Sequence, residues 1–398
     1  MKDLELTGRE VPTDTKTTLA MLESNPASVY RRLRRETPIV RLAALGRIVF
    51  SKANDTHRIK SDTEHFGCYD TTTPMQRAFR GHTLMRKDGP EHLRERHAMA
   101  GAFTADTITS HWRPEFENLV DELLGGLPKH GTVDLFTALA SPLAARYVKL
   151  VLGLESATEV QLLDWAPTLI RGAMNAQFHA DVFARCDTAN DDMDACFQEM
   201  THRHRQTPNC SALSEMVNAD EPLPFSQIGT NMRVCIAGSL VESRDGFLST
   251  LIGILSHPDQ KQFCVETSAW RAACEEGLRW IAPIQANARV VLKSTVIRGF
   301  CIPEGETIMV LQASANHDED IWDEPDQFDA RRAFKPNQTF GNGPHKCLGS
   351  DLYKMLIADV VLPKLFERFP QISLQNPTDI TFHGFAFRGP TSCRVQLG

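Results

Sequence analysis

Phe340-Gly341-Asn342-Gly343-Pro344-His345-Lys346-Cys347-Leu348-Gly349 decides how the rest of this chain is read. Cys347 is framed by glycines at 341, 343 and 349, with an aromatic seven residues upstream and a histidine two upstream. The amphipathic run Leu352-Tyr353-Lys354-Met355-Leu356-Ile357-Ala358 follows, so the cysteine is expected at the start of a helix. There the unpaired backbone N–H groups and the helix dipole favour a thiolate, and the glycines let backbone pass close to something flat. This suits an axial sulfur ligand. Two other readings stand beside it: a cysteine packed as a small hydrophobe, or half of a zinc site with His345. No second Cys or His pair at short spacing completes a zinc site.

Six positions, Phe340, Gly341, Gly343, His345, Cys347 and Gly349, resemble the haem-binding loop of the cytochrome P450 superfamily. At a background of about one in fifteen per position, chance gives this match roughly once in ten million start points. The resemblance implies haem b (iron protoporphyrin IX), Cys347 as the iron ligand, and Phe340, His345 and Gly349 as further cofactor-binding positions.

At 398 residues the chain is long enough for two or three average domains, but enzymes of this size also occur as one unit. The reading is a single domain over 1–398, with 1–25 as an N-terminal extension. A hydrophobic content of 42 % supports a substantial core. The net charge of −7, without long charged blocks, argues against nucleic acid or an anionic membrane as partner. Met1–Glu10 has no apolar core of signal-peptide length and no later run reaches spanning length. Ten scattered cysteines fit a reducing compartment. A soluble, cytoplasmic protein of the bacterial P450 type is expected.

Pro26 to Glu36 reads as an amphipathic helix, followed by paired strands Ile39–Leu42 and Arg47–Phe50. Residues 66–87 lose periodicity, and a loop carrying Phe79 and Met85 is expected, either as a lid or binding wall or as irregular surface. A helix starts at Pro90 and puts His92 and Arg96 on one face, two cations directed at one anion. The pair resembles the family's H-x-x-x-R segment, which implies contact with haem propionates.

Helical patterns dominate 114–218, including 165–178, where family members cover the substrate pocket and where Ala173 leaves room. A pattern from about Ser226 to Ser256 stops at His257-Pro258; about thirty residues make a helix of roughly 45 Å. Its apolar surface runs most of the way round, as in a buried central helix, so Ser239, Glu242, Ser243, Arg244 and Asp245 stand out. The family carries Ala/Gly-Gly-x-acid-Thr here, whose acid and alcohol deliver protons during dioxygen activation. Ala237-Gly238-Ser239 fits that opening, but Leu240 and Val241 replace the acid and the threonine. Glu242-Ser243 instead resembles a bacterial subgroup with Gly-Gly-x-x-x-Glu-Pro that includes aromatic O-demethylating enzymes, Ser243 standing for the proline. Glu242 is then the proton-relay acid, with Ser239 or Ser243 and water, or alternatively a buried ion-pair partner of Arg244 or another basic group.

Glu276 and Arg279 share a helix face and resemble the E-x-x-R pair that braces the haem loop, completed by Arg331 or Arg332, with Arg332 preferred. Arg289 matches the second propionate-binding cation. Gly384–Ser392 resembles the closing hairpin of the same subgroup, with Phe387 at its tip. The pocket implied by the resemblance is lined by Phe79, Met85, Ala173, Gly238, Val241, Ile284 and Phe387.

The expected architecture is mainly α with small β-sheets, the cytochrome P450 fold, with haem between the central helix and the cysteine loop. The expected activity is a haem-thiolate monooxygenase inserting one atom of O2 into a small hydrophobic, aromatic substrate by hydroxylation or O-demethylation. Electrons are expected from a separate ferredoxin or flavoprotein docking near Lys346 and Lys354. The alternatives are a tailoring oxidase for a larger natural product, a peroxide-driven peroxygenase and a haem sensor.

Overall fold

Ile39-Val40-Arg41-Leu42 and Arg47-Ile48-Val49-Phe50 are too rich in β-branched residues to favour a helix. In the computed structural model, which describes residues 8–70 and 73–398, they pair antiparallel with Ile39 opposite Phe50. Gly46 closes the turn at φ +62, a conformation that favours glycine. Strand Arg47–Phe50 then pairs in parallel with Thr307–Val310, which pairs antiparallel with Asn287–Val291, and Phe66–Gly67 closes the far edge. Thr13–Asp14 adds in parallel at the other edge, completing a six-stranded sheet.

Both faces of this sheet are covered, which is why its strands read as near-continuous apolar runs. Ile39, Ile48, Phe50, Ile308 and Val310 pack with Ile59 and Phe66 on one side. Val40, Leu42 and Val49 pack with Leu22, Leu33 and Leu311 on the other. Leu22 belongs to the helix Leu19–Ser24, so the stretch assigned to an N-terminal extension carries a strand and a helix. Met1–Thr7 of that extension, and Thr71 and Thr72 of the 66–87 loop, lie outside the described residues.

By packing, the chain divides into two units. The first takes residues 1–69, 248–347 and 377–391. It holds the six-stranded sheet, the helices Pro26–Glu36, Ala53–Ser61, Pro258–Thr267 and Trp270–Trp280, and the cysteine loop. The second takes residues 70–247, 348–376 and 392–398. It is built from the helices Gly89–His97, Arg113–Gly125, Ser141–Leu152, Glu159–Ala173 and Ala180–Gln206, with a small sheet of Thr132–Asp134, Arg394–Gln396 and Ser373–Leu374.

The helix Phe225–Ser256, here called the central helix, is 32 residues long and contributes 225–247 to the second unit and 248–256 to the first. It stops where Pro258 forces His257 to extended backbone (φ −128, ψ 93).

Two expectations are corrected in the second unit. The helix read over 165–178 ends at Ala173, because Asn175 exchanges hydrogen bonds with the backbone N–H and C=O of His179, and Phe178 turns to φ +55. The 66–87 stretch is not all loop: it contains a short helix Pro74–Ala78 and a single turn at Leu84–Arg86. That short helix is fastened from outside. Arg77 pairs bidentately with Asp187, Asn190 donates to the Ala78 carbonyl at 2.9 Å, and Gly172 leaves no room for a side chain against Ala78. Among the described residues no helix is long and apolar enough to cross a membrane, and no disulfide joins any two cysteines.

Candidate active site

The cysteine loop is a series of tight turns. Gly341 N–H donates to the Gln338 carbonyl at 3.0 Å, Lys346 N–H to Gly343 at 3.1 Å, and Cys347 N–H back to Phe340 at 2.9 Å. His345 lies in the turn Gly343–His345, and Gly349 caps the helix that follows Cys347. Gly341 and Gly343 take φ +67 and +69. A Cβ on Gly343 would lie 2.5 Å from the carbonyl oxygen of Lys60. Asn342 donates to the His57 carbonyl at 3.0 Å and to Ser61 Oγ at 2.6 Å, so the loop is seated on the last turn of helix Ala53–Ser61.

Gly343→Ala is therefore expected to cost about 2–3 kcal/mol, from left-handed strain plus a backbone clash. Gly46→Ala, at a similar φ with nothing within 4 Å, should incur the strain alone. Urea midpoints compare the two; equal shifts would show that the seat on Lys60 does not constrain the loop.

Behind the loop, Glu276 and Arg279 form a bidentate pair at 2.7 and 2.8 Å, with residue exposures of 5 % and 1 %. Arg279 also donates to the carbonyls of Asn316, Pro325 and Gln327. Of the two adjacent arginines, Arg332 reaches Glu276, donating Nε at 3.1 Å, whereas Arg331 turns outward to Asp259 at 2.8 Å. The Asp329 N–H adds a further bond to Glu276 at 2.8 Å. One carboxylate thus gathers a helix and the 325–332 segment.

Arg289 projects from strand Asn287–Val291 and is only 9 % exposed; its one side-chain hydrogen bond goes to the neighbouring Ala288 carbonyl. Lys60, at 3 % exposure, donates to Gln312 Oε1 at 2.7 Å and to the Gln338 carbonyl at 3.4 Å. Burial, with the Arg289 charge nearby, draws its ammonium down to about 7. Among the described residues neither cation has a carboxylate partner. Two buried like charges left so are costly. They fit a ligand that brings carboxylates, and a soft thiolate in a glycine-rich loop fits an iron porphyrin. Haem satisfies both. Nothing in the sequence flagged Lys60: Glu64, four residues on, looks like its surface partner, yet Glu64 pairs with Lys293.

In the second unit, His92 and Arg96 share one face of helix Gly89–His97, with His92 buried. Glu95, behind them, binds Lys87 and accepts from Gln227 at 3.1 Å and Asn231 at 2.9 Å, which moors this helix to the central one. Farther along the central helix both Glu242 carboxyl oxygens are sealed from solvent and have no hydrogen-bond partner. The nearer one lies 3.9 Å from where a Gly238 Cβ would be, so the side chain leans back over an open glycine. Burial pushes its pKa up to about 8. Arg244, the alternative partner, pairs instead with Asp245 at 2.7 Å and lies over the Phe136 ring. Neither Ser239 nor Ser243 forms a hydrogen bond to Glu242: Ser243 is one residue on, about 100° round the helix, and the short Ser239 hydroxyl does not reach.

Five of the positions expected to line a pocket lie in the second unit. Phe79 is buried and Met85 exposed; Ala173 ends its helix, and Gly238 and Val241 open from the central helix. In the first unit Ile284 and Phe387 face each other across an antiparallel bridge, held by Gln285 N–H to the Ala386 carbonyl at 2.9 Å.

The cytochrome P450 family model matches residues 269–388, the stretch holding the brace, Arg289 and the cysteine loop. The chain is 28 % identical over 380 residues to the vitamin D(3) 25-hydroxylase of Pseudonocardia autotrophica, covering 88 % of each. It is 29 % identical over 296 residues to the biotin biosynthesis cytochrome P450 of Bacillus subtilis (strain 168), covering 73 % of this chain and 74 % of that one. Among solved structures it is similar to P450BioI in complex with hexadec-9Z-enoic acid ligated acyl carrier protein, at 25 % identity and a TM-score of 0.86, over 95 % of this chain and all of that one. The thiolate loop, the cations that call for a ligand with carboxylates, and a likeness running most of the chain's length converge: the chain belongs to the cytochrome P450 superfamily, as a haem-binding monooxygenase.

Proposed function

We propose that this P450 inserts one atom of O2 into a small hydrophobic, aromatic substrate, and that Glu242 supplies the protons which the missing acid–threonine pair would otherwise deliver. The observation that carries the reading is the Glu242 carboxyl itself: buried, unpartnered, raised to about 8 and leaning over Gly238. A group held neutral near pH 7 is a proton donor.

In the first unit Cys347 would hold the iron, with Phe340 and Gly349 shaping its loop and Arg289 and His345 neutralising haem carboxylates. In the second, His92 and Arg96 take the same neutralising part. Glu276, Arg279 and Arg332 hold the loop from behind. Bound haem with a thiolate ligand supplies the oxygen activation and the insertion into a C–H bond. The residues of this chain bind it, exclude water and hold a proton at Glu242 Oε. Residues 1–398 are read as one catalytic domain, fed with electrons by a separate ferredoxin or flavoprotein.

The aromatic substrate class rests on Glu242-Ser243 and on the closing hairpin, where Phe387 faces Ile284. If the substrate is a methoxyarene, hydroxylation of the methyl gives a hemiacetal that releases formaldehyde. A second reading, a tailoring oxidase for a larger or carrier-bound substrate, is favoured by relatives named for vitamin D(3) and biotin biosynthesis and by a neighbour solved with acyl carrier protein.

Spectral titration of the ferric enzyme separates the two. A saturable low-spin to high-spin shift with a small methoxyarene, and formaldehyde on turnover, is expected. A shift only with steroids, terpenoids or long-chain acyl ligands would overturn the aromatic reading in favour of the second.

A further inference from the structure

We propose that Lys60 is a cofactor-positioning residue, whose buried ammonium acts with Arg289 on the carboxylates of the bound porphyrin and ties that charge to the seat of the thiolate loop. The inference deepens the haem reading above and rests on it.

Three observations carry it. Lys60 is buried on the last turn of helix Ala53–Ser61, a face otherwise packed with Thr56 and Ile59. Its own bonds go only to uncharged oxygens, Gln312 Oε1 at 2.7 Å and the Gln338 carbonyl at 3.4 Å. Both partners belong to the surroundings of the cysteine loop: Gln312 donates in turn to the Ile284 carbonyl at 2.7 Å, and Gln338 opens the turn that Gly341 closes. The Lys60 Nζ lies 4.0 Å from the position of a Gly341 Cβ, and the Lys60 carbonyl is the surface on which Gly343 rests.

Burying an ammonium beside a guanidinium, with no carboxylate on either, is unfavourable unless an anion arrives with the ligand. A lysine that served only to pack or to hydrogen-bond the loop would need no charge; glutamine would do as well. The charge therefore points to the ligand rather than to the fold. It also places a positive centre near the loop, where it favours the more electron-rich ferrous state.

The test compares wild type, Lys60→Gln and Lys60→Arg, each purified with haem and each rebuilt with haem dimethyl ester, which lacks the carboxylates. Haem release is followed by transfer to excess apomyoglobin, and the ferric/ferrous potential is measured alongside. With natural haem, Lys60→Gln is expected to release the cofactor about tenfold faster or more, the loss of one charge-assisted bond. Its potential should fall, and Lys60→Arg should stay near wild type in both. With the dimethyl ester the difference between wild type and Lys60→Gln should vanish. A wild-type release rate in Lys60→Gln overturns the proposal, and so does a fast rate that persists with the ester, since that makes Lys60 a support of the loop alone. Should the glutamine chain not fold, Lys60→Met, with the same loss of charge, is read identically. A wild-type protein without the carbon monoxide band near 450 nm typical of haem-thiolate proteins would instead sink the haem-thiolate reading itself.

Discussion

Glu242→Gln is expected to lower product formation by about 10²-fold, the lower end of what a positioned general acid contributes, while haem content and the thiolate spectrum stay as in wild type. Reducing equivalents should be diverted to hydrogen peroxide, so peroxide released per NADH consumed is the sensitive readout. The pH profile adds a second signature. The wild-type carboxyl donates only while protonated, so coupling should decline as pH rises through about 8, and the glutamine variant should show no such decline. Stability moves with the same group. In the fold its proton is held up to about 8, in the open chain only to about 4.5. Between these values the folded state binds more protons than the unfolded one, so wild-type stability falls as pH climbs through that window. Glu242→Gln removes this slope. Unchanged coupling in the variant would take Glu242 out of the mechanism.

Glu276→Ala should be the most destabilising single change in the first unit. It strips the partner from a guanidinium that is 1 % exposed, and breaking such a pair costs about 3–5 kcal/mol, because the remaining charge stays buried. It also frees Arg332 Nε and the Asp329 N–H. A large fall in the denaturant midpoint is expected, with little haem retained by the purified chain. Arg331→Ala, next to Arg332 but paired with an exposed aspartate, should leave the midpoint where it was. If the two variants proved equally stable, the brace would not hold the loop.

What the sequence made legible was local or sharply spaced: the cysteine loop, the Pro26–Glu36 helix, the hairpin at 39–50, the Glu276/Arg279 pair and the central helix to within one residue at its start. These follow from periodicity and from residues whose partners lie three or four positions away. Where partners are distant the sequence left more open. Pro74–Ala78 is too short to be helical by itself; its fasteners, Asp187 and Asn190, lie more than a hundred residues on. The choice between Arg331 and Arg332 depends on which of two neighbouring side chains turns inward. Arg244 could have paired with Glu242 or with Asp245, and only the fold shows that it pairs with Asp245. Lys60 was hidden by a surface decoy.

The order of the six-stranded sheet has a consequence for how the chain is made. Arg47–Phe50 leaves the ribosome about 260 residues before its parallel neighbour Thr307–Val310, an interval of roughly 13 to 50 s at ordinary rates of synthesis. Throughout that time Ile39, Ile48 and Phe50 lack their sheet neighbours Ile308 and Val310, and one strand edge stays open to other nascent chains. The hairpin at 39–50 is thus made long before the strand that covers its open edge.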